Sequence, residues 1–170
     1  MGDRKITDEQ RALMLWKLAP GDANRVLNGE DSIPTKDRVA TASSWHIDVM
    51  KDADIRTVNM GVPVGNDVME LLEKGHIPQV QEDHWFMYCA DGVMRWYRSW
   101  TGYQVFAARY HKTEDGFVIS DMDVTINIGD VPVSGPQSAG NLFMMLCMAE
   151  AGGNFWPMWG EYLKNLENGE

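Results

Sequence analysis

Cysteine is scarce in this chain: Cys89 and Cys147 are the only two in 170 residues. Each sits inside an apolar run, and neither belongs to a Cys-x-x-Cys pair. A secreted disulfide framework is therefore excluded, and both are expected as buried thiols in a reducing compartment. Histidine is thin as well. His46, His76, His84 and His111 show no metal-ligand spacing on one helix and no His-Glu-x-x-His, so no metal and no cofactor are expected. Basic residues number 15 against 25 acidic, a formal charge of −10. That excludes an electrostatic grip on duplex nucleic acid. It leaves room for a locally basic pocket or a basic protein partner.

Long apolar runs are missing too. No segment approaches the ~18 apolar residues of a membrane span, so no membrane partner is expected. The first apolar run, 12–19, follows Asp8, Glu9 and Arg11 and does not read as a leader, which makes a cytoplasmic location the expectation. The chain also lacks a Gly-x-Ser-x-Gly elbow, a Walker phosphate loop and a Gly-x-Gly-x-x-Gly turn. Ser43 and Ser44 lie too close to His46 on a helix to act as nucleophile and base. A chain of this length fits one domain and buries roughly two thirds of its unfolded surface without a staple.

Aromatics are what the sequence has in quantity, and they are concentrated. Residues 84–109 hold eight (Trp85, Phe86, Tyr88, Trp96, Tyr97, Trp100, Tyr103, Phe106) together with Arg95, Arg98 and Arg109. The pattern here is β. Asp91-Gly92 between two aromatic runs predicts a hairpin with a type I′ turn. Thr101-Gly102 predicts the next reversal, 103–110 a third strand and 117–128 a fourth. Residues 55–62 alternate apolar with polar and predict a possible fifth.

Helices flank this region. The Thr7-x-x-Gln10 capping box opens one closed by Pro20-Gly21. Residues 21–35 read as loop and 36–50 as a second helix. Asn66 is expected to cap a short helix, 67–74, ended by Gly75. Ser134 with Pro136 predicts the start of a helix whose 138–151 stretch is apolar almost all round and hence buried. Asn154 is expected to cap a last helix, 155–166. The fold class is therefore α+β: an antiparallel four- to five-stranded meander packed on C-terminal helices (134–168), with sheet over 53–130 and an N-terminal helical part (1–52) at an edge.

Alternation along the strands sorts the side chains into faces. Met94, Trp96, Arg98 and Trp100 share one face; Tyr103, Val105, Ala107 and Arg109 share another. In the fourth strand the face carrying Val118, Met122 and Val124 is expected to meet the helices. Asp121 and Asp123 point away from it, within reach of Arg98 or Arg109. Two readings fit these charges: a ladder of surface ion pairs, or a polar cleft facing a ligand. Arg98-Ser99-Trp100-Thr101-Gly102 is the sharpest local motif. A guanidinium fork, two hydroxyls and a glycine suit an anion, and the indole suits a stacked ring. The same residues could equally close a turn and pack a core.

Trp85-Phe86-x-Tyr88, Asp91-Gly92 and Tyr97-Arg98-Ser99-Trp100-Thr101-Gly102-Tyr103 resemble small bacterial or phage-borne proteins of uncharacterised function with an aromatic hairpin ending in Arg-Ser-Trp-Thr-Gly. The resemblance covers about twenty residues and implies no activity.

Three functions are compatible with these readings. The first is a binding module for a small anionic or nucleotide-like molecule, held by Arg98, Ser99, Trp100, Thr101, Tyr103 and Arg109. The second is a protein–protein interaction factor, of inhibitor or immunity type, working through an acidic or Trp/Met-rich surface. In that case Trp156, Trp159 and Tyr162 could form a homo-oligomer contact. The third is a phosphate-handling enzyme with His84, Asp121 or Asp123 as acid–base groups.

Overall fold

The computed structural model describes residues 39–51, 54–78, 83–125, 133–151 and 156–170. In chain order the elements are β1 (Ile55–Val64), α1 (Asn66–Glu73), β2 (Trp85–Ala90), β3 (Val93–Arg98), β4 (Gln104–Lys112), β5 (Phe117–Thr125), α2 (Pro136–Glu150) and α3 (Trp156–Glu167). The strands form one antiparallel sheet in the order β1-β5-β4-β3-β2. It is the expected α+β meander, with β1 as its fifth member. The expected N-terminal helix over 7–20, the loop over 21–35 and the Asn154 cap lie outside the described residues.

The hairpin β2–β3 is where sequence dictates geometry most directly. Asp91 (φ 55°) and Gly92 (φ 74°) both adopt the left-handed backbone of a type I′ turn, whose twist matches that of the flanking strands. Trp85 pairs with Arg98 and Ala90 with Val93, so the register follows from the two-residue loop.

Both faces of this hairpin are covered. Trp85, Met87, Met94 and Trp96 point into a large core shared with Phe106, Met122 and Val124 of the sheet, Met69 and Leu72 of α1, Leu142, Phe143 and Leu146 of α2, and Tyr162 of α3. Phe86, Tyr88 and Tyr97 point the other way, into a second cluster closed by Ala40, Trp45, Ile47 and Ile77. Each fully buried side chain of this size contributes about 1.5–3 kcal/mol. Ring contacts add to this, among them Trp85 stacked on Phe106 and Tyr88 on Tyr97.

Two expectations about faces fail for one reason. Irregular register between Trp96/Tyr97 and between Arg109/Tyr110 marks bulges that insert an extra residue and reset the alternation. Ile119 rather than Val118 therefore joins Met122 and Val124 in the helix-facing core, and Val105 lies there with Phe106.

The helix expected over 36–50 is absent from 39–51. Thr41 and Ser44 close a turn on each other: the Thr41 amide donates to Ser44 Oγ (2.9 Å), and the Ser44 amide donates to the Thr41 carbonyl (2.9 Å). Hydroxyl side chains that bond the nearby backbone compete with helix in this way. The segment then runs extended, stacking Trp45 on Phe86 and pairing Asp48 in parallel with Tyr103.

Helix caps differ in detail. Gly65, not Asn66, precedes α1. Gly135, not Ser134, precedes α2, where Ser138 Oγ accepts from the amides of Ser134 (2.9 Å) and Gly135 (3.1 Å).

Gly75 ends the α1 region with φ +74° and lies against the edge strand. A Cβ there would collide with the Met87 carbonyl oxygen and sit 2.6 Å from Ala40 Cβ. Gly75→Ala is expected to destabilise the fold by about 2–4 kcal/mol, the sum of a left-handed alanine and an overpacked contact. A urea denaturation midpoint unchanged from wild type would contradict this packing.

Candidate functional site

The residues expected to hold a ligand separate into two places. Arg98 ends β3 and is 6% exposed. Its guanidinium carbon stacks 4.8 Å from the Trp85 ring centroid, inside the protein. Ser99 is buried too: its Oγ donates to the Asp83 carbonyl (2.6 Å) and its amide to the His84 carbonyl (3.0 Å). Arg109 pairs with Val93, at the opposite end of β3 from Arg98. The spacing along the strand is five residues, or roughly 17 Å, so the two arginines do not converge on one ligand.

Arg109 makes a closed lattice instead. Its Nε and Nη2 donate to Asp121 (2.7 and 2.9 Å), and its Nη1 and Nη2 donate to Asp123 (2.8 and 3.1 Å). Thr57 Oγ1, from β1, donates to Asp123 (2.8 Å). The hydrogen bonds to Asp123 and Asp121 push the guanidinium pKa up, and the Arg109 bonds hold both carboxyls below their ordinary range. The groups are partly exposed, so each pair contributes under about 1 kcal/mol. Of the two readings of these charges, the geometry is that of the ion-pair ladder, with Arg109 rather than Arg98 as the cation. His84 stands at the other end of the hairpin, its ring 5.8 Å from that of Trp100. It therefore forms no acid–base pair with Asp121 or Asp123.

Between β3 and β4 the chain leaves the core in one tight turn, and there the remaining candidates surface. Trp100 is 64% exposed, Tyr103 is 48% exposed, and Thr101 is exposed between them. Everything beneath is fixed. Trp45 Nε1 donates to the Ser99 carbonyl (2.7 Å), and His46 Nε2 lies 3.1 Å from the Trp100 carbonyl. The Gly102 amide donates to the Arg98 carbonyl (2.8 Å), and the Tyr103 amide to Thr101 Oγ1 (3.2 Å). The Asp48 amide donates to the Gly102 carbonyl (2.8 Å), and the Gln104 amide to the Asp48 carbonyl (3.0 Å). The result is two large rings presented to solvent on a turn that 39–51 has clamped from below.

One cluster gave no local signal in the sequence. His76 lies between two buried carboxylates, with Nε2 2.7 Å from Asp83 and Nδ1 2.6 Å from Glu150. Its side chain is 19% exposed. Burial alone would lower the imidazole pKa; the facing charges of Glu150 and Asp83 and their hydrogen bonds reverse this and raise it to about 10. Glu150 is the last residue of α2, where the helix dipole disfavours an anion, and the imidazolium offsets that. His76 also exchanges both backbone hydrogen bonds with Met87, covering part of the β2 edge. The triad thus joins α2 to the hairpin. The 7- and 74-residue separations of Asp83 and Glu150 from His76 carry no motif.

The oligomer contact expected at the C-terminus loses a member. Tyr162 is 2% exposed within the helix-facing core, where burial pushes its hydroxyl pKa up. It packs inside the protomer because α3 lies against α2, tied there by Asn165 Nδ2 donating to Asn141 Oδ1 (2.7 Å). The side chains of Trp156 and Trp159 lie outside the described residues.

Among the described residues, no helix is long and apolar enough to cross a membrane. Comparison of the chain with protein-family models, curated proteins and solved structures finds no match.

Because the His76 pKa is higher folded than unfolded, its contribution to stability is complete below about 6.5, the unfolded value. It is lost as pH rises toward about 10. Denaturant titrations across that window should show stability falling in wild type and a flatter profile in His76→Ala. That variant should itself be weaker by about 3–5 kcal/mol near neutrality, since it leaves two buried carboxylates without their cation. Identical pH profiles for the two proteins would refute the assignment.

Proposed function

We propose that this chain is a protein–protein interaction factor that contacts its partner through the Trp100–Tyr103 turn. The observation that carries the reading is two large aromatic side chains, 64% and 48% exposed, on a turn whose backbone is held by hydrogen bonds from Trp45 and Asp48 and to the Arg98 carbonyl. Trp and Tyr are the residues most enriched in the energetic centres of protein interfaces. A pre-ordered turn lowers the entropy cost of using them. The reading requires no catalytic group. The alternative of a small anionic ligand would need the guanidiniums of Arg98 and Arg109; one is stacked inside the core and the other satisfied by two aspartates. A cytoplasmic setting accords with Cys89 and Cys147 being thiols.

The test is a paired capture experiment with the full chain and its Trp100→Ala/Tyr103→Ala variant. Proteins specifically retained by wild type should fall at least about tenfold on the variant, as expected for losing interface-centre residues. The variant's thermal midpoint should move by less than about 3 °C, since neither side chain is core. Equal capture by both proteins would remove the turn from any interface.

A further inference from the structure

The chemistry around the turn specifies what kind of side chain it would receive. Aromatic ring faces carry negative electrostatic potential and attract cations, indole most strongly. Asp48 and Tyr103 are bridge partners, and such partners carry their side chains on the same face about 5 Å apart. An exposed carboxylate therefore stands beside the exposed phenol ring, one turn away from the exposed indole. The sequence over 48–54 is itself acidic, with three aspartates to one lysine, in a chain of formal charge −10. The fold already uses the same pairing internally: Arg98 stacks on Trp85, and Arg95 lies over Tyr88 at 5.6 Å.

We infer that the Trp100–Tyr103 turn receives an arginine side chain from a basic segment of a partner protein, stacked against the exposed rings and paired with Asp48. Guanidinium fits better than ammonium because it is planar, weakly hydrated and able to engage a carboxylate with two parallel hydrogen bonds while its flat face stacks on a ring. The inference rests on the interaction reading above and adds the chemistry of the partner.

The experiment uses the full ¹⁵N-labelled chain and follows the Trp100 indole N–H resonance, assigned by its loss in Trp100→Phe. Three capped peptides are titrated: Gly-Arg-Gly-Arg-Gly, its citrulline counterpart and its leucine counterpart. Citrulline keeps the shape of arginine and removes the charge. The arginine peptide should shift the Trp100 resonance, and the citrulline peptide should bind about threefold to tenfold more weakly. Asp48→Asn should weaken the arginine peptide about twofold to fivefold, more at low salt than at high. Equal binding of the leucine or citrulline peptide would overturn the cationic assignment while leaving the interaction reading intact. If no peptide moves the Trp100 resonance while capture still depends on Trp100 and Tyr103, the arginine partner is likewise overturned and the interface itself stands. Loss of both results would remove both.

Discussion

Covering the β2–β3 hairpin on both faces is the constraint from which the rest of this structure follows. An antiparallel sheet ordinarily keeps one face in water and alternates apolar with polar residues. Here Trp85-Phe86-Met87-Tyr88 is buried without a break. The odd members go to the helices and the even members to the segment 39–51 with Ile77. A strand buried on both sides at a sheet edge also needs its polar groups satisfied. His76 answers the Met87 backbone, and its ring bridges Asp83 and Glu150 in the same step. A buried ion triad of this kind adds little net stability, because desolvation offsets attraction. Its effect is to fix where α2 ends relative to the hairpin, since any other docking would strand a carboxylate.

The same constraint sorts the arginines and the aromatics. Arg98 lies at the buried end of β3, so its guanidinium is held against Trp85 rather than offered to a ligand. Arg109 lies where the outer face of the sheet is only partly covered, and it is engaged by the aspartates opposite it on β5. The turn after Ser99 is the point at which the aromatic run leaves the core, and Trp100 and Tyr103 emerge there. Their exposure costs the protein apolar surface in water that two smaller residues would avoid. This imbalance between a tightly clamped backbone and wet aromatic rings is what sets the turn apart from an ordinary connection.

The architecture was legible wherever a short-range rule governs it. Asp91-Gly92 announced the hairpin, alternation announced β1, and the nearly all-round apolar stretch after Pro136 announced a buried helix. What sequence could not provide came from tertiary contact or from register. The bulges beside Val105 and Ser120 are set by neighbouring strands, and each reverses the face of the residues beyond it. The 39–51 segment has helix-compatible spacing, yet burying Trp45 and Ile47 over Phe86 requires it to be extended. For the site, the members of the 98–102 motif divide between inside and outside: Arg98 and Ser99 are buried and Trp100 is exposed. Alternation placed Arg98 and Trp100 on one face, whereas the strand ends at Arg98 and the turn carries Trp100 outward. The His76 triad had no sequence signature, because its members come from three separate segments.

Hydroxyl-radical footprinting with residue-level mass spectrometry tests this account most directly, because it reads the accessibility of each ring separately. The structure predicts rapid labelling of Trp100 and Tyr103, with Trp85, Phe86, Trp96 and Tyr97 protected to the level of the core. Labelling of Trp85 or Phe86 as fast as Trp100 would contradict a hairpin covered on both faces, and with it the turn as the place where the aromatic run meets solvent.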